Sequence, residues 1–521
     1  MNLLKDSWLP IVRRDGTKED IAIWQLLDNY STNPVVDILS PRPDFRNAIY
    51  QLLIGIVQVA ALPEDEEHWS DLYYSPWGSE EFKDKVLKYE QCFEIDSEGP
   101  AFMQDFELPE ESKEETLGNL FINLPANEHY IAVDSKYCKN EPQKINPYWA
   151  AVALFTLQTF APPGGRGNRT GLRGGGPLTT VLLPTAPQAS LWKKIWLNII
   201  DEQSTIKLTG DLRKMEKSDI FPWLKPTKVS NDGSELHPSE CHPFHMYFGM
   251  PRRIRLLFKK TSGKCDITGL QSDVIVEGYL TRHSGNNYSG TWRHPLNTYS
   301  LDTNGVLISR KPKLGGICYR HWLDLSLKTD DILPAIVIEL SQESAYRRDI
   351  IRNQGATLWA AGYAMENMKA LCWYDATMPV YPFDPRTAKL ISGFVQQIVA
   401  TTQDLAGDVK SKIKSAWFSS PKDVKGDVAF IETSFWQNTE ADFYSLLNNL
   451  VQDPISVSLK NELIQRWMKI LSAQAYTLFD QWAIAQQEDG LDMKRVIKAR
   501  IDIDKSVGKM KKQLKTMITS E

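Results

Sequence analysis

The sequence predicts an α+β protein with a large mixed α/β N-terminal domain, residues 1–384, followed by a C-terminal four-helix bundle, residues 385–521. Within the first domain, residues 274–280 alternate as a half-buried strand does, which indicates a β-rich segment. After Pro385 the apolar residues recur at helical spacing, in four stretches separated by breaks such as Asp-Pro and Asp-Gly: residues 388–405, 442–451, 458–487 and 491–516. Four successive amphipathic helices favour a bundle.

The N-terminal domain is predicted to begin with a strand that enters a hairpin, with the turn at Arg14-Asp15-Gly16. Residues 44–60 carry apolar side chains at helical spacing and predict an amphipathic helix. A second helix, residues 146–160, leads into a glycine-rich stretch, and residues 178–183 beyond it read as a buried strand. The glycine-rich stretch is therefore expected to be held at both ends by regular structure.

Length and composition restrict the class of protein. A chain of 521 residues with 42% hydrophobic residues is too long for one core and is not disordered. The start of the chain has no apolar signal core and no run is apolar enough to span a bilayer, so we expect a cytoplasmic protein without membrane contact. Six cysteines without paired spacing favour reduced thiols. The net charge of −5 argues against a general nucleic-acid coat, although residues 207–264 are locally basic.

Residues 161–177 contain seven glycines and three arginines, Arg166, Arg169 and Arg173, without an acidic side chain. Glycine leaves backbone amides uncovered and arginine supplies forked donors, which together predict a loop that contacts phosphate. A nucleotide-binding loop is not favoured, because the Walker lysine is missing and Thr170 stands where the dinucleotide fingerprint needs its third glycine. The alternative is a surface loop without a ligand.

No metal site or cofactor is predicted. Cys241, His242 and His245 are crowded, and no second pair of ligands follows at the short spacing that zinc sites use. We therefore expect these side chains, like Cys265 and His294, to be structural or surface residues. The sequence also lacks a nucleophile elbow, a His-Glu-x-x-His motif and a carboxylate cluster, so no catalytic residue and no enzymatic activity is predicted.

An apolar run at residues 117–125 contains Phe121-Ile122-Asn123 and is closed by Pro125, before a stretch without periodicity at residues 126–140. Two interpretations remain open for this run. Phe121 and Asn123 either present an aromatic ring and an amide to a partner, or they close a strand and cap a turn.

Three motifs carry a resemblance to a known family: the opening Asn-Leu-Leu-x-x-x-Trp-Leu-Pro, Gly-Leu-Arg-Gly-Gly at residues 171–175, and Gly-Tyr-Ala-Met-Glu-Asn-Met-Lys-Ala at residues 362–370. In this order they resemble the CasA family, the large subunits of type I-E CRISPR Cascade complexes. The resemblance covers nearly the whole chain. It agrees with a C-terminal helical bundle, and it implies an altered or absent zinc site because Cys265 leads into Asp266 rather than a cysteine cluster.

The resemblance also implies site residues. The glycine-rich loop is expected to follow the minor groove at the protospacer-adjacent motif, with Gly167 as the best match to the family's contacting glycine. Arg282 stands in the segment where other members have a motif-reading lysine. Asn353-Gln354-Gly355 matches a hairpin tip whose glutamine wedges into the duplex, and Phe121-Ile122-Asn123 matches a segment that docks onto Cascade near the guide's 5′ handle. The predicted DNA-binding set is Gly165, Arg166, Gly167, Asn168, Arg169, Arg282, Asn353, Gln354 and Gly355.

The predicted function is that of a non-catalytic large subunit in an RNA-guided surveillance complex. It would recognise the motif in double-stranded DNA, start the duplex opening that forms the R-loop, and help to recruit the helicase-nuclease. The expected partners are the backbone, small and 5′-handle-binding Cascade subunits with crRNA, the target duplex and the helicase-nuclease. The alternative is a structural scaffold that does not read DNA itself. The basic last helix has two open interpretations, a solvated face or a DNA contact.

Overall fold

The computed structural model describes residues 1–122, 142–165, 167–210, 212, 216–366, 369–423, 428–485 and 492–518. The chain divides into two compact units. The first comprises Met1–Pro312 and Asp331–Val380, and the second comprises Lys313–Asp330 and Tyr381–Glu521. The division thus falls between Val380 and Tyr381, rather than after residue 384, and residues 313–330 group with the C-terminal unit although no sequence pattern indicates this.

The strands form small antiparallel sheets. The strands are β1 (Leu9–Arg13), β2 (Lys18–Ile21), β3 (Val35–Ile38), β4 (Lys113–Thr116), β5 (Thr179–Pro184), β6 (Arg253–Lys259), β7 (Gly263–Lys264), β8 (Gln271–Ser272), β9 (Ile275–Arg282), β10 (Tyr299–Leu301), β11 (Leu307–Ser309), β12 (Ile332–Leu333), β13 (Ala356–Glu366) and β14 (Lys369–Val380). Their orders within the sheets are β2-β1-β3, β4-β9-β6, β7-β8, β11-β10-β12 and β14-β13-β5.

Helices surround these sheets in the first unit and form the second. In the first unit they are α1 (Pro43–Ala60), α2 (Glu66–Tyr74), α3 (Ser79–Leu87), α4 (Pro147–Phe160), α5 (Leu191–Trp196), α6 (Glu202–Thr209), α7 (Lys217–Ile220), α9 (Ile336–Glu343) and α10 (Ala345–Gln354). In the second unit they are α8 (Trp322–Ser326), α11 (Pro385–Trp417), α12 (Ala429–Gln452), α13 (Val457–Phe479) and α14 (Met493–Lys515).

Local sequence explains the two helices that hold the core of the first unit. Both α1 and α4 begin with proline, whose fixed φ suits the first helical turn, and Asn146 caps α4 by accepting a hydrogen bond from the amide of Tyr148 at 2.9 Å. The helices predicted at residues 44–60 and 146–160 are thereby confirmed. Nearly every residue of both helices is buried, so hydrophobic burial stabilises them on all sides.

The second unit contains the four long helices that the periodicity predicts. The first three differ in length from the prediction, most clearly α12, which begins at Ala429 rather than at residue 442. The α+β class is confirmed. Among the described residues, no helix is both long and apolar enough to cross a membrane.

Candidate nucleic-acid interface

The glycine-rich stretch, residues 161–177, leaves α4 and enters β5, and its second half is fixed by close packing. The amide of Gly176 donates to the carbonyl of Phe160 at 3.2 Å, and that of Gly171 donates to the carbonyl of Ala161 at 3.3 Å. A Cβ atom on Gly176 would lie 2.6 Å from Cε of Met365 in β13. Glycine is therefore needed here for close approach to β13 rather than for binding a ligand.

Arg173 lies in this packed half, and its predicted role at phosphate is wrong. The side chain is 5% exposed, and its guanidinium donates to Oε1 of Gln51 at 2.6 Å and to Oγ1 of Thr179 at 3.0 Å. Burial lowers the pKa of Arg173 to about 10. The arginine thus holds the loop to α1 and β5 from inside the unit.

The first half of the stretch forms an exposed turn. Gly165 and Gly167 have φ of +77° and +86°, a backbone region that favours glycine. The amide of Asn168 donates to the carbonyl of Gly165 at 3.2 Å, and its side chain donates to the carbonyl of Gly164 at 2.7 Å. Arg166 lies outside the described residues. Hydrogen bonds from Asn168 therefore hold that residue against Gly164 and Gly165, and Gly165 is exposed.

Arg169 is half-buried beside the turn. Its Nε donates to Oγ of Ser230 at 2.8 Å and its Nη2 donates to the carbonyl of the same serine at 2.7 Å. Its remaining terminal nitrogen, Nη1, has no hydrogen-bond partner among the described residues. Two anchored nitrogens fix the direction of the guanidinium, and the third is left available to a phosphate.

The end of β9 lies against this turn. The amide of Ser284 donates to the carbonyl of Gly167 at 2.8 Å, and a Cβ atom on Gly167 would lie 2.9 Å from Cβ of His283. His283 Nδ1 is 3.3 Å from Oδ1 of Asn168. Arg282 is exposed and donates to the carbonyl of Glu111 at 3.1 Å. The structure therefore brings His283 and Ser284, which directly follow Arg282, to the glycine turn, although more than one hundred residues separate the two segments in sequence.

We call this region the loop surface. It consists of Gly165, Gly167, Asn168, Arg169, Arg282 and His283. The sequence-based prediction assigned five of these residues to DNA binding and left out His283. The position of His283 directly after Arg282 is the one signal that could have included it.

The prediction that Asn353-Gln354-Gly355 forms a hairpin tip is wrong. These residues end α10, which Ser344 caps at its start and Gly355 at its end, with φ +71° and its amide donating to the carbonyl of Ile351 at 2.8 Å. Oε1 of Gln354 accepts a hydrogen bond from the hydroxyl of Tyr73 at 3.0 Å. A helix that ends in glycine and a hairpin turn use the same residue types, which explains the error.

Gln354 is also remote from the anchored half of the glycine-rich stretch. It precedes the end of β13 at which Ala356 pairs with Pro184, whereas Gly176 packs against the segment from Tyr363 to Met365. At about 3.3 Å per residue, these positions are roughly 25 Å apart along the strand. In the long β13–β14 hairpin the last described pair is Glu366 with Lys369, and residues 367–368 lie outside the described residues.

Phe121 belongs to the core. It is 3% exposed, its ring centroid is 5.7 Å from that of Phe45, and the Arg42 guanidinium lies 5.1 Å from both rings. Ile122 is half-buried, and Asn123 lies outside the described residues. The ring is therefore not presented to a partner in this conformation. That Ile122 and Asn123 dock the protein onto Cascade stays a prediction.

The histidines and cysteines near residue 241 are packed side chains. Nε2 of His245 is 3.0 Å from the hydroxyl of Tyr288, and burial lowers the pKa of His245 to about 4. Burial raises the pKa of the Cys241 thiol to about 11, which opposes the thiolate that zinc needs. Within the described ranges, no group of three or more His, Cys, Asp or Glu side chains is arranged to hold a metal ion.

The whole fold resembles several solved structures. CasA from Thermus thermophilus matches with a TM-score of 0.66 and 16% identity over 98% of this chain and 99% of that one. Cse1 from Thermobifida fusca matches with a TM-score of 0.67 and 14% identity over 100% and 99% of the two chains. A chain of a CRISPR RNA-guided surveillance complex matches with a TM-score of 0.65 and 16% identity over 98% and 99%. At such low identities these matches show a shared fold.

The sequence itself carries the family assignment. The family model described as CRISPR-associated protein Cse1 matches residues 2–478, which is nearly the whole chain. This match agrees with the motifs at the N-terminus, in the glycine-rich stretch and in the β13–β14 hairpin. The chain therefore belongs to the CRISPR-associated protein Cse1 family.

Proposed function

We propose that the chain is the non-catalytic large subunit of an RNA-guided CRISPR surveillance complex and that its loop surface reads a short motif in double-stranded DNA. Family membership and the fold shared with a chain of a surveillance complex support the subunit role. In this role it binds the other subunits and crRNA, starts duplex opening next to the motif and helps to recruit a helicase-nuclease. Base pairing with the guide then reads the remaining target.

The loop surface carries the proposal for DNA reading. The glycine turn, in which Gly165 is exposed, leads into Arg169 and contacts His283 and Ser284, which directly follow the exposed Arg282. Uncovered backbone and asparagine side chains suit the shallow pattern of the minor groove, and the arginines suit the phosphates at its edges. The proposal assigns no wedge to Gln354, because that residue ends a helix at the other end of β13.

The scaffold alternative also has an observation in its favour. Arg173 is buried and two nitrogens of Arg169 already bind Ser230, so part of the positive charge in the stretch serves the fold. A scaffold with such a loop would bind its neighbouring subunits and show no salt-dependent affinity of its own for duplex DNA.

Duplex binding by the isolated protein over a range of salt concentrations tests the proposal. The double variant Arg169→Gln/Arg282→Gln removes two cations, so the slope of log affinity against log salt should fall by about one to two. Lys5→Gln, which removes an exposed cation paired with Glu90, serves as the matched control and should leave the slope unchanged. Equal slopes for the wild type and the double variant would favour the scaffold.

A second variant tests the turn without changing its charge. Gly167→Ala places a methyl group at φ +86° and 2.9 Å from His283, so the turn must change its conformation. Discrimination between duplexes with and without the motif should fall at least tenfold while the salt slope stays near the wild-type value. Gly165→Ala, at φ +77° with no atom within 4 Å, separates backbone strain from the clash. Unchanged discrimination in Gly167→Ala would remove the turn from motif reading.

A further inference from the structure

A second site of interest is an open cavity of about 530 Å³ beside the C-terminal end of α10. Its volume lies within the range of about 300–1,000 Å³ that small-ligand pockets occupy. Arg14 from the β1–β2 turn, Tyr30, Tyr74 from the end of α2, Lys193 from α5 and Gln354 line it. None of the described residues that line the cavity is an aspartate or a glutamate.

The two cations in this cavity are not neutralised. Within the described part of the chain, neither Arg14 nor Lys193 has a carboxylate at ion-pair distance. The Lys193 ammonium instead lies 4.8 Å from the ring centroid of Tyr73 and 5.7 Å from that of Tyr74. Partial burial and, secondarily, the charge of Arg14 lower the pKa of Lys193. Two like charges that face the same space repel each other, and a bound anion would offset this repulsion.

Two neutral donors face the same space. The Tyr30 hydroxyl accepts a hydrogen bond from Oγ of Ser190 at 3.4 Å, and its own proton has no acceptor among the described residues. Gln354 uses Oε1 to accept from Tyr73, which leaves its amide nitrogen without an acceptor there as well. Arg14, Lys193, Tyr30 and Gln354 thus each supply the cavity lining with a hydrogen-bond donor that has no acceptor on the described part of the chain. This arrangement fits an oxyanion with several oxygens.

An aromatic ring stands next to these donors. Tyr74 is 50% exposed, although large aromatic side chains are usually covered. Its ring is held edge-to-face against Tyr73, with 5.3 Å between the centroids. A base can stack on an exposed tyrosine ring, and such stacking accepts any base.

We propose that this cavity binds one nucleotide unit through its phosphate group. Arg14 and Lys193 contact the phosphoryl oxygens, Tyr30 and Gln354 donate to the remaining oxygens, and the base stacks on Tyr74. The ligand is either a free nucleoside monophosphate or a nucleotide of a single strand, since both present the same phosphate. The cavity shares no residue with the loop surface, so this proposal stands independently of motif reading.

Titration calorimetry of the full chain with adenosine 5′-monophosphate, adenosine and inorganic phosphate tests the site. The monophosphate should bind at least tenfold more tightly than adenosine, because the phosphate supplies the charge-assisted contacts. Arg14→Gln/Lys193→Gln should weaken binding of the monophosphate at least tenfold. The matched control is Arg352→Gln, which removes an exposed arginine of α10 that does not line the cavity. Its affinity should equal that of the wild type.

Two further variants separate the contacts from the fold. Lys193→Arg keeps the charge and should retain most of the affinity, which attributes the loss in Lys193→Gln to the removed charge. Tyr74→Ala should weaken the monophosphate but leave inorganic phosphate unchanged. Equal affinity of the wild type and the double variant for the monophosphate, or no binding by the wild type, would overturn the proposal.

A competition experiment distinguishes the two sources of the phosphate. If an unlabelled single strand of about twelve nucleotides, within the usual length of single-strand binding sites, displaces the monophosphate, the site takes a nucleotide of a strand. If the strand fails to displace it, the site takes free nucleotides. The double variant should keep the motif discrimination of the wild type on duplex DNA, so failure of this proposal and failure of motif reading give different results.

Discussion

Arg42 packs its guanidinium over two aromatic rings and also forms an ion pair with Asp44. These rings belong to Phe45 and Phe121, which also contact each other in the core of the first unit. Burial of an aromatic ring and a cation–π contact both stabilise the folded state. In this conformation Phe121 therefore stabilises the folded state of the first unit.

We expect Phe121→Ala to lower the free energy of unfolding by about 3–5 kcal/mol, the usual cost of removing a buried phenyl group. Urea denaturation of the isolated protein measures this change. Ile122→Ala, at a half-buried neighbouring side chain, should cost less than Phe121→Ala. Unchanged stability combined with lost assembly onto the crRNA-bound core would instead identify Phe121 as a docking residue.

His245 gives the protein a pH dependence of known sign. Its pKa falls from 6.5 to about 4 in the folded state because burial disfavours the imidazolium. The unfolded chain therefore binds the proton first, so stability present above pH 6.5 is lost as the pH falls toward 4. Burial also lowers the pKa values of His242 and His294, which act in the same direction.

Between about pH 7.5 and pH 4.5, the wild type should lose about 2–3 kcal/mol of unfolding free energy more than His245→Gln does. Glutamine keeps a hydrogen-bonding side chain toward Tyr288 but does not titrate. Chemical denaturation of both proteins at the two pH values measures the difference. If the two proteins lose equal stability, His245 does not control the acid response.

Residues 313–330 contribute side chains to the helical core of the second unit. Tyr319 stacks on Phe443 at 4.3 Å between centroids, packs edge-to-face on Trp436 at 4.9 Å, and its hydroxyl lies 2.8 Å from Oγ1 of Thr439. Trp322 is completely buried in the same unit. This segment thus contributes aromatic side chains to a space that α12 and α13 leave open.

Tyr319→Ala should destabilise the second unit by about 3–5 kcal/mol, and Tyr319→Phe by about 1 kcal/mol because it removes one hydrogen bond. Amide hydrogen exchange in α12 and α13 measures these losses locally. Protection in β13 and β14, which belong to the first unit, should not change in either variant. Equal exchange rates in Tyr319→Ala and the wild type would show that the ring does not support the bundle.

Residues 313–330 belong to the second unit but interrupt the sequence of the first, and this connectivity predicts which truncated proteins fold. A protein that ends at Val380 keeps residues 313–330 but lacks the helices that cover Tyr319 and Trp322. The first-unit residues on either side of this segment lie beside β10. The amide of Arg310 donates to the carbonyl of Thr298 at 2.9 Å, and the amide of Leu301 donates to the carbonyl of Asp331 at 2.8 Å. A short linker can therefore replace the segment.

Residues 1–380 should aggregate or bind a hydrophobic dye, whereas the same truncation with a Gly-Ser linker in place of residues 313–330 should be monomeric. The reason is that the first of these proteins exposes the aromatic side chains of Tyr319 and Trp322, whereas the second lacks them. Size-exclusion chromatography of the two proteins provides the test. Identical behaviour would show that residues 313–330 do not depend on the second unit.

Local sequence was sufficient for α1, α4 and the four long helices of the second unit, because their signals act within a few residues. Residues 44–60 and 146–160 combine apolar periodicity with a proline at the first turn. The three residues Asn353-Gln354-Gly355 lack such a signal, because a helix end and a hairpin turn both use Asn and Gly. The hydrogen bond from Gly355 to Ile351 is what distinguishes the two.

The α+β class, the four C-terminal helices and the family could all be predicted from the amino-acid order, since they depend on local periodicity and on motifs in succession. The glycine-rich stretch could be located in the same way. Which of its arginines remain available to a ligand depends on the folded chain. Arg173 is buried against Gln51, more than one hundred residues earlier, while Arg169 is half-buried and bonds Ser230 through only two of its three nitrogens. Burial depends on segments that are distant in sequence and meet only in the fold, so composition could not distinguish these arginines.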